Sequence, residues 1–240
     1  MAVVFASDVH LEPGRPDISE RFFRFLEQQA GQAEALYLLG DLFEAWVGDD
    51  DDDDFAKLVP SKLRALCDSG VPVYFMHGNR DFLIGEQFAE ESGCQLLDDP
   101  TRLELYGETL LLCHGDALCT DDLGYQEFRK EVRDPQWKKQ FLSQPLTKRR
   151  EFARLARDAS LQYQQQQPPE IGDVNQQAVE ALMTGEQVAL LLHGHTHRPA
   201  VHDFALKNGV AARRIVLGAW YEQGSMVRWD KHGIELIQNL

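Results

Sequence analysis

The chain has no long hydrophobic run: no apolar stretch approaches the roughly 20 residues that cross a bilayer, so no membrane span is expected. Its first residues, MAVVFASDVH, lack a basic leader region and reach Asp8 before a signal-length apolar stretch can form. A disulfide framework is missing too. Cys67, Cys94, Cys113 and Cys119 contain no CxxC pair and sit mostly in apolar or helical contexts, as reduced cytosolic cysteines do. Positive charge is scarce, and a net charge of −15 argues against nucleic acid as a partner, because that binding neutralises phosphates with Lys and Arg. There is no internal repeat. A cytoplasmic, monomeric protein is the expectation.

At 240 residues and 43% apolar content, the chain suits one large domain or one domain carrying an insertion. AVVFAS (2–7), ALYLLG (35–40), VPVYFMHGN (71–79), ETLLLCHGD (108–116) and QVALLL (187–192) read as buried strands. Helical spacing separates them at 18–31, at 55–69 with Pro60 in the first turn, in a short stretch ending at Gly93, and at 173–185. This alternation is the βαβ pattern of a parallel or mixed α/β sheet. After residue 200 the pattern is β, with a turn at Asn208-Gly209.

Between 120 and 170 the strand signal vanishes, which predicts an inserted helical cap interrupting a core of 1–119 and 171–240. The insertion ends in QYQQQQPPE, which reads as a loop. Residues 128–157 hold ten Lys or Arg against Glu131, Asp134 and Glu151, a local excess of +7 on an acidic protein. Those cations, with Tyr125, Phe128, Trp137, Phe141, Phe152 and Leu155 among them, could bury a small core, hold acyl chains, or rest on an anionic membrane surface. The run Asp49–Asp54 reads as a solvated loop.

The strand ends carry the chemistry. They read SDVH (Asp8, His10), GDLFE (Asp41, Glu44), HGNRD (Asn79, Arg80, Asp81), HGD (His114, Asp116) and HGHTH (His193, His195, His197). Ligands of open α/β sheets bind at that edge, so these groups converge although they are scattered along the chain. Each motif alone is an ordinary turn; five in succession are not. Imidazole, carboxylate and amide oxygen without thiolate favour ions such as Mn²⁺, Fe²⁺ or Zn²⁺. Seven donors exceed one tetrahedral site and suit two ions sharing a carboxylate, which clamp a phosphoryl group and supply hydroxide at neutral pH.

The series DxH, GDxxE, GN, HGD and GHxH resembles the calcineurin-like metallophosphoesterases. The resemblance implies an αββα sandwich of mixed central sheets flanked by helices. It implies one metal at Asp8, His10, Asp41 and His197 and a second at Asp41, Asn79, His114 and His195, with Asp41 bridging. Many family members carry His after the GN, where this chain has Arg80; arginine is no general acid, but its fork holds phosphate oxygens. GDLFEAWVGDD, HGNRDFL, CHGDALCTDD, HGHTHRPAVH and LGAWYEQGS are similar to the lipid A pathway pyrophosphatases of Gram-negative bacteria. That resemblance implies hydrolysis of UDP-2,3-diacylglucosamine to UMP and 2,3-diacylglucosamine 1-phosphate, by hydroxide attack on the α-phosphorus, usually with Mn²⁺. It implies Asn79, Arg80 and His195 as catalytic residues, and substrate contacts at Asn79, Arg80, Asp122, Tyr125, Ser160, Gln164, Gln167 and His195. It also implies peripheral association with the cytoplasmic face of the inner membrane through the cap. Rival readings are a metallophosphoesterase acting on a soluble nucleotide and a non-catalytic scaffold of the same fold. Glu44, Asp81 and Asp116 are expected to support ligands, Asp116 by orienting an imidazole, and His193 to point away from the metals.

Overall fold

A computed structural model describes residues 1–240, with the side chains of Gln164, Gln165, Pro169 and Glu170 outside the described residues. The chain opens with β1 (Val3–Ala6), α1 (Pro16–Gln28), β2 (Ala35–Leu39), α2 (Asp54–Asp68), β3 (Val73–Met76), α3 (Glu86–Ser92) and β4 (Gln95–Leu97). It continues through β5 (Thr101–Leu105) and β6 (Glu108–Leu112) to three helices, α4 (Leu123–Val132), α5 (Pro135–Leu142) and α6 (Leu146–Gln166). α7 (Gln176–Gly185), β7 (Leu190–His193), β8 (Ala200–Ala205), β9 (Ala211–Val216), β10 (Ser225–Asp230) and β11 (Gly233–Gln238) complete it.

The strands form two mixed sheets, ordered β11-β10-β1-β2-β3-β4 and β5-β6-β7-β9-β8. Side-chain alternation explains how they stack. Val4 and Ala6 of β1 face a core with Phe22 and Phe25 of α1 and Leu63 of α2. Val3 and Phe5 face the opposite way, against Leu110, Leu112, Leu190, Leu192 and Ile215 of the second sheet. That sheet's outer face, with Leu111 and Leu191, packs on Val179 and Met183 of α7. The order is helix, sheet, sheet, helix, and strands buried on both faces are the apolar runs of the sequence.

Four local expectations are corrected. β4 and β5 were not anticipated, because Arg102 and Glu104 interleave the apolar residues of an exposed strand. Pro60 lies well inside α2, at the cost of one helical hydrogen bond. Gln162–Gln166 belong to α6 and not to a loop, since no breaker precedes Pro168.

The acidic run 49–54 is largely exposed, but the carboxylates of Asp49 to Asp53 are partnered and not merely solvated. Asp49 accepts from Trp46 Nε1 (2.9 Å) and from the backbone N–H groups of Gly85 and Phe88 at the start of α3. Asp50 pairs with the buried Arg149 of α6 through two bonds of 2.7 and 2.5 Å. Asp51 and Asp52 both pair with Arg150, and Asp53 caps α2 at Phe55 N (2.8 Å). The acid run is therefore the counter-charge of the basic helix, and it ties α6 to the core. Arg149 also donates to the carbonyls of Val47 (2.6 Å) and Gln144 (2.9 Å). Arg149→Ala should lower stability by about 1–3 kcal/mol, since the buried carbonyls lose their donor while the exposed Asp50 returns to water. Urea unfolding measures this, and an unchanged midpoint would remove the tie from the account.

Candidate metal centre

Five residues at the strand ends adopt left-handed backbone: Asp8 (φ 55°), His10 (56°), Asp41 (53°), His195 (67°) and His197 (58°). Each such conformation costs a non-glycine residue on the order of 1–3 kcal/mol, and five of the eight instances among the described residues sit here. The turns fold each side chain back over the strand end. Backbone bonds hold them there: Asp8 N–H donates to Gly40 O (3.0 Å), His10 N–H to Asp41 O (3.0 Å) and Trp220 N–H to Asp8 O (3.1 Å). Gly78 and Gly194 leave room for the close approach, since a Cβ would strike the Asp41 carboxylate at the first and Asp8 with Ser7 at the second.

The result is two facing clusters, Asp8/His10/His197 and Asp41/His114/His195, each with donor atoms within 4.8 Å of one another. In the first, His197 Nε2 lies 3.4 Å from Asp8 Oδ1 and 3.0 Å from His10 Nε2. In the second, Asn79 Oδ1 lies 3.0 Å from His114 Nε2 and 2.8 Å from His195 Nδ1. Asp41 faces both, with Oδ2 at 3.9 Å from His10 Nε2 and Oδ1 at 3.7 Å from His114 Nε2. All seven residues expected to hold metal meet at this point.

The donor atoms fit cations. His114 Nδ1–H donates to Leu39 O (2.8 Å), which turns the Nε2 lone pair toward the Asn79 carbonyl oxygen. Nε2 and that oxygen, 3.0 Å apart, need either a proton or a metal ion between them. The field agrees: burial disfavours a charged His114, yet Asp41, Asp116 and Asp8 outweigh it and push its pKa up to about 9. Imidazole, carboxylate and amide donors match two divalent ions sharing Asp41.

Glu44 and Asp81 support this arrangement. Glu44 Oε2 lies 3.1 Å from His10 Nδ1, the carboxylate–histidine pairing that aims the other nitrogen at a metal. Glu44 also accepts from Tyr221 OH (3.0 Å) and pairs with Arg157 of α6 (3.0 Å). Asp81 accepts from the N–H groups of Leu42 (2.7 Å) and Gly78 (2.8 Å). Burial and the neighbouring Asp41 charge push the Asp81 carboxyl upward. Asp116 differs from expectation. It orients no imidazole directly; it accepts from Tyr125 OH (2.7 Å) and Arg129 Nε (2.7 Å) and pairs with Arg133, all on or just after α4. His193 stands outside the clusters. Its Nδ1–H donates to Gly194 O (2.9 Å), Nε2 accepts from Arg214 (3.1 Å), and burial pushes its pKa down to about 3.

Of the expected substrate contacts, Arg80 donates its backbone N–H to Asp41 Oδ1 (2.8 Å), and its guanidinium has no hydrogen bond among the described residues. The Tyr125 ring stands 5.7 Å from His195. Asp122 caps α4 at Tyr125 N (2.9 Å) and accepts from Tyr163 OH (3.0 Å). Ser160 is half-buried on α6, Gln167 follows its end, and the Gln164 side chain lies outside the described residues. Tyr221 and Arg157 were missed. Tyr221 stacks on His10 at 4.9 Å, and its signal was the LGAWYEQGS stretch after β9, a further strand running parallel to β7.

Residues 1–199 match the family described as calcineurin-like phosphoesterase. A UDP-2,3-diacylglucosamine hydrolase of Stenotrophomonas maltophilia (strain K279a) is 51% identical over 243 residues, spanning 98% of each chain. One of the same name from Serratia proteamaculans (strain 568) is 50% identical over 238 residues, spanning 99% of each. Another from Xanthomonas oryzae pv. oryzae (strain PXO99A) is 50% identical over 245 residues, again 99% of each.

Removing the shared carboxylate should disable both clusters. Wild-type protein dialysed against Mn²⁺ should retain two ions per chain, and Asp41→Ala at most one, by elemental analysis. Two ions retained by the variant would dismiss Asp41 as the bridge.

Proposed function

The chain belongs to the calcineurin-like phosphoesterase family and is a hydrolase; on that footing we propose that it cleaves the pyrophosphate bond of UDP-2,3-diacylglucosamine, giving UMP and 2,3-diacylglucosamine 1-phosphate in lipid A synthesis. The observation that carries the reading is end-to-end identity of about half with hydrolases bearing that substrate's name. The strand-end donors supply matching chemistry. Asp8, His10, Asp41 and His197 would hold one Mn²⁺, and Asp41, Asn79, His114 and His195 would hold the other. When bound, two divalent ions supply Lewis acidity and an activated water.

The chain's own residues do the rest. Arg80 places its unpartnered guanidinium on the phosphoryl oxygens while its backbone N–H fixes Asp41 (2.8 Å). A phosphate leaving group needs no proton, so a permanently charged arginine serves where a general acid is dispensable. Asn79 and His195 hold the attacked phosphoryl group on the side of the second cluster. Asp122, Tyr125, Ser160, Gln164 and Gln167 contact the sugar-lipid half, and the segment 120–170 acts as its lid.

Exposed apolar side chains support that role: Leu123, Phe128, Leu142, Phe152, Leu155 and Leu161 all lie on α4, α5 and α6. This surface receives acyl chains and rests the monomer on the inner face of the membrane. Most of the cap's arginines are already paired, leaving Lys130, Lys139 and Lys148 as exposed cations without an ion pair among the described residues. The membrane contact is therefore mainly apolar. No helix among the described residues is long and apolar enough to cross a bilayer.

Hydrolysis of UDP-2,3-diacylglucosamine in ¹⁸O-water should place the label in UMP, by mass spectrometry; label in the lipid phosphate would refute attack at the α-phosphorus. The deacylated substrate should turn over poorly, and equal turnover would favour a soluble-nucleotide enzyme. Arg80→Lys should lower kcat/KM about 10- to 100-fold, the worth of a charge-assisted fork reduced to a point charge.

A further inference from the structure

Thr196 sits between His195 and His197, and its buried hydroxyl has no hydrogen-bond partner among the described residues. A second buried atom in the same condition, Arg214 Nε, lies at the same place. Arg214 is only 7% exposed, and its Nη1 is already committed to His193 Nε2 at 3.1 Å. Both residues line a cavity of about 230 Å³ beside the final ligand loop. None of the residues lining it belongs to the metal clusters.

The strand register builds the cavity floor. Ala200 pairs with Val216 and His202 with Arg214, so these four side chains share one face of the β8–β9 ladder. Pro199 adds an apolar wall, and Asp173 with Arg198 forms an ion pair of 2.7 Å on the lining. Drug-sized ligands occupy roughly 300–1,000 Å³, so this space suits a single heterocycle. Through Thr196, the chain neighbour of both His195 and His197, the cavity borders the loop that carries those two imidazoles.

We propose that the cavity receives the uracil ring of the nucleotide, with Arg214 Nε–H and the Thr196 hydroxyl donating to its carbonyl oxygens and the Asp173 carboxylate accepting its N3–H. The proposal rests on the reading of the chain as a UDP-sugar hydrolase. The pattern of donors selects one base. Cytosine carries an amino donor where uracil has a carbonyl, and an acceptor at N3, so it would set donor against donor and acceptor against carboxylate. Ala200, Pro199 and Val216 cover the ring faces without adding polar demands.

Uridine, which has no phosphate to engage the metals, is the probe. Saturation-transfer NMR on the Mg²⁺-loaded full chain should show uridine binding at least about fivefold tighter than cytidine, the scale of one unmet hydrogen bond. Thr196→Val, which keeps the shape, should weaken uridine by about fivefold. Ala200→Leu fills the cavity and should weaken it more than about tenfold without touching a polar group. Both variants should raise KM for UDP-2,3-diacylglucosamine in proportion. Equal binding of uridine and cytidine, or unchanged uridine binding in both variants, overturns the proposal. Failure of the wild type to hydrolyse UDP-2,3-diacylglucosamine while still preferring uridine would count against the substrate and not against the base site.

Discussion

Asp41 is the residue on which the site depends. Its two carboxylate oxygens look toward different imidazoles, His10 and His114, and so toward different clusters. Holding a carboxylate between two imidazole clusters in a buried position demands a rigid cradle. The chain provides one through a left-handed backbone at Asp41, glycine at 78 where a side chain would collide, and Asp81 gathering the N–H groups of Leu42 and Gly78. Burial first, and then the charge of the neighbouring Asp41, push the Asp81 carboxyl upward. Positive charge at the clusters relieves the repulsion from Asp41, so metal binding and local folding reinforce each other.

The same logic governs the helical insertion. Its cations are spent on particular acids: Arg149 and Arg150 on Asp50 to Asp52, Arg129 and Arg133 on Asp116, and Arg157 on Glu12 and Glu44. Through Glu44 the last of these reaches His10. The helices above the site are thereby wired to the candidate metal clusters, because Arg157 of α6 and His10 meet on the same carboxylate.

The convergence of the candidate donors was legible in the sequence because coordination chemistry restricts residue types, and because parallel strands end on one edge. Asp8, His10, Asp41, Asn79, His114, His195 and His197 each follow an apolar run at the same relative place. The ion pairs were not legible. Asp50 and Arg149 are 99 positions apart, and each in isolation resembles any surface charge. Tyr221 was hidden for another reason: aromatic residues after strands are ordinary, and only its stacking on His10 marks it out. Asp116 looked like a ligand's neighbour and serves the insertion instead.

β1 is flanked on one side by a strand far from it in the chain. β1 lies between β2 and β10, pairing Val3 with Trp229 and Phe5 with Val227. A nascent chain that has emerged as far as the insertion therefore carries an open, apolar sheet edge beside Asp8 until residues 225–230 arrive. Contacts spanning nearly the whole chain form slowly, and an unpaired edge invites other strands. Loss of β10 and β11 would therefore leave β1 exposed along one side.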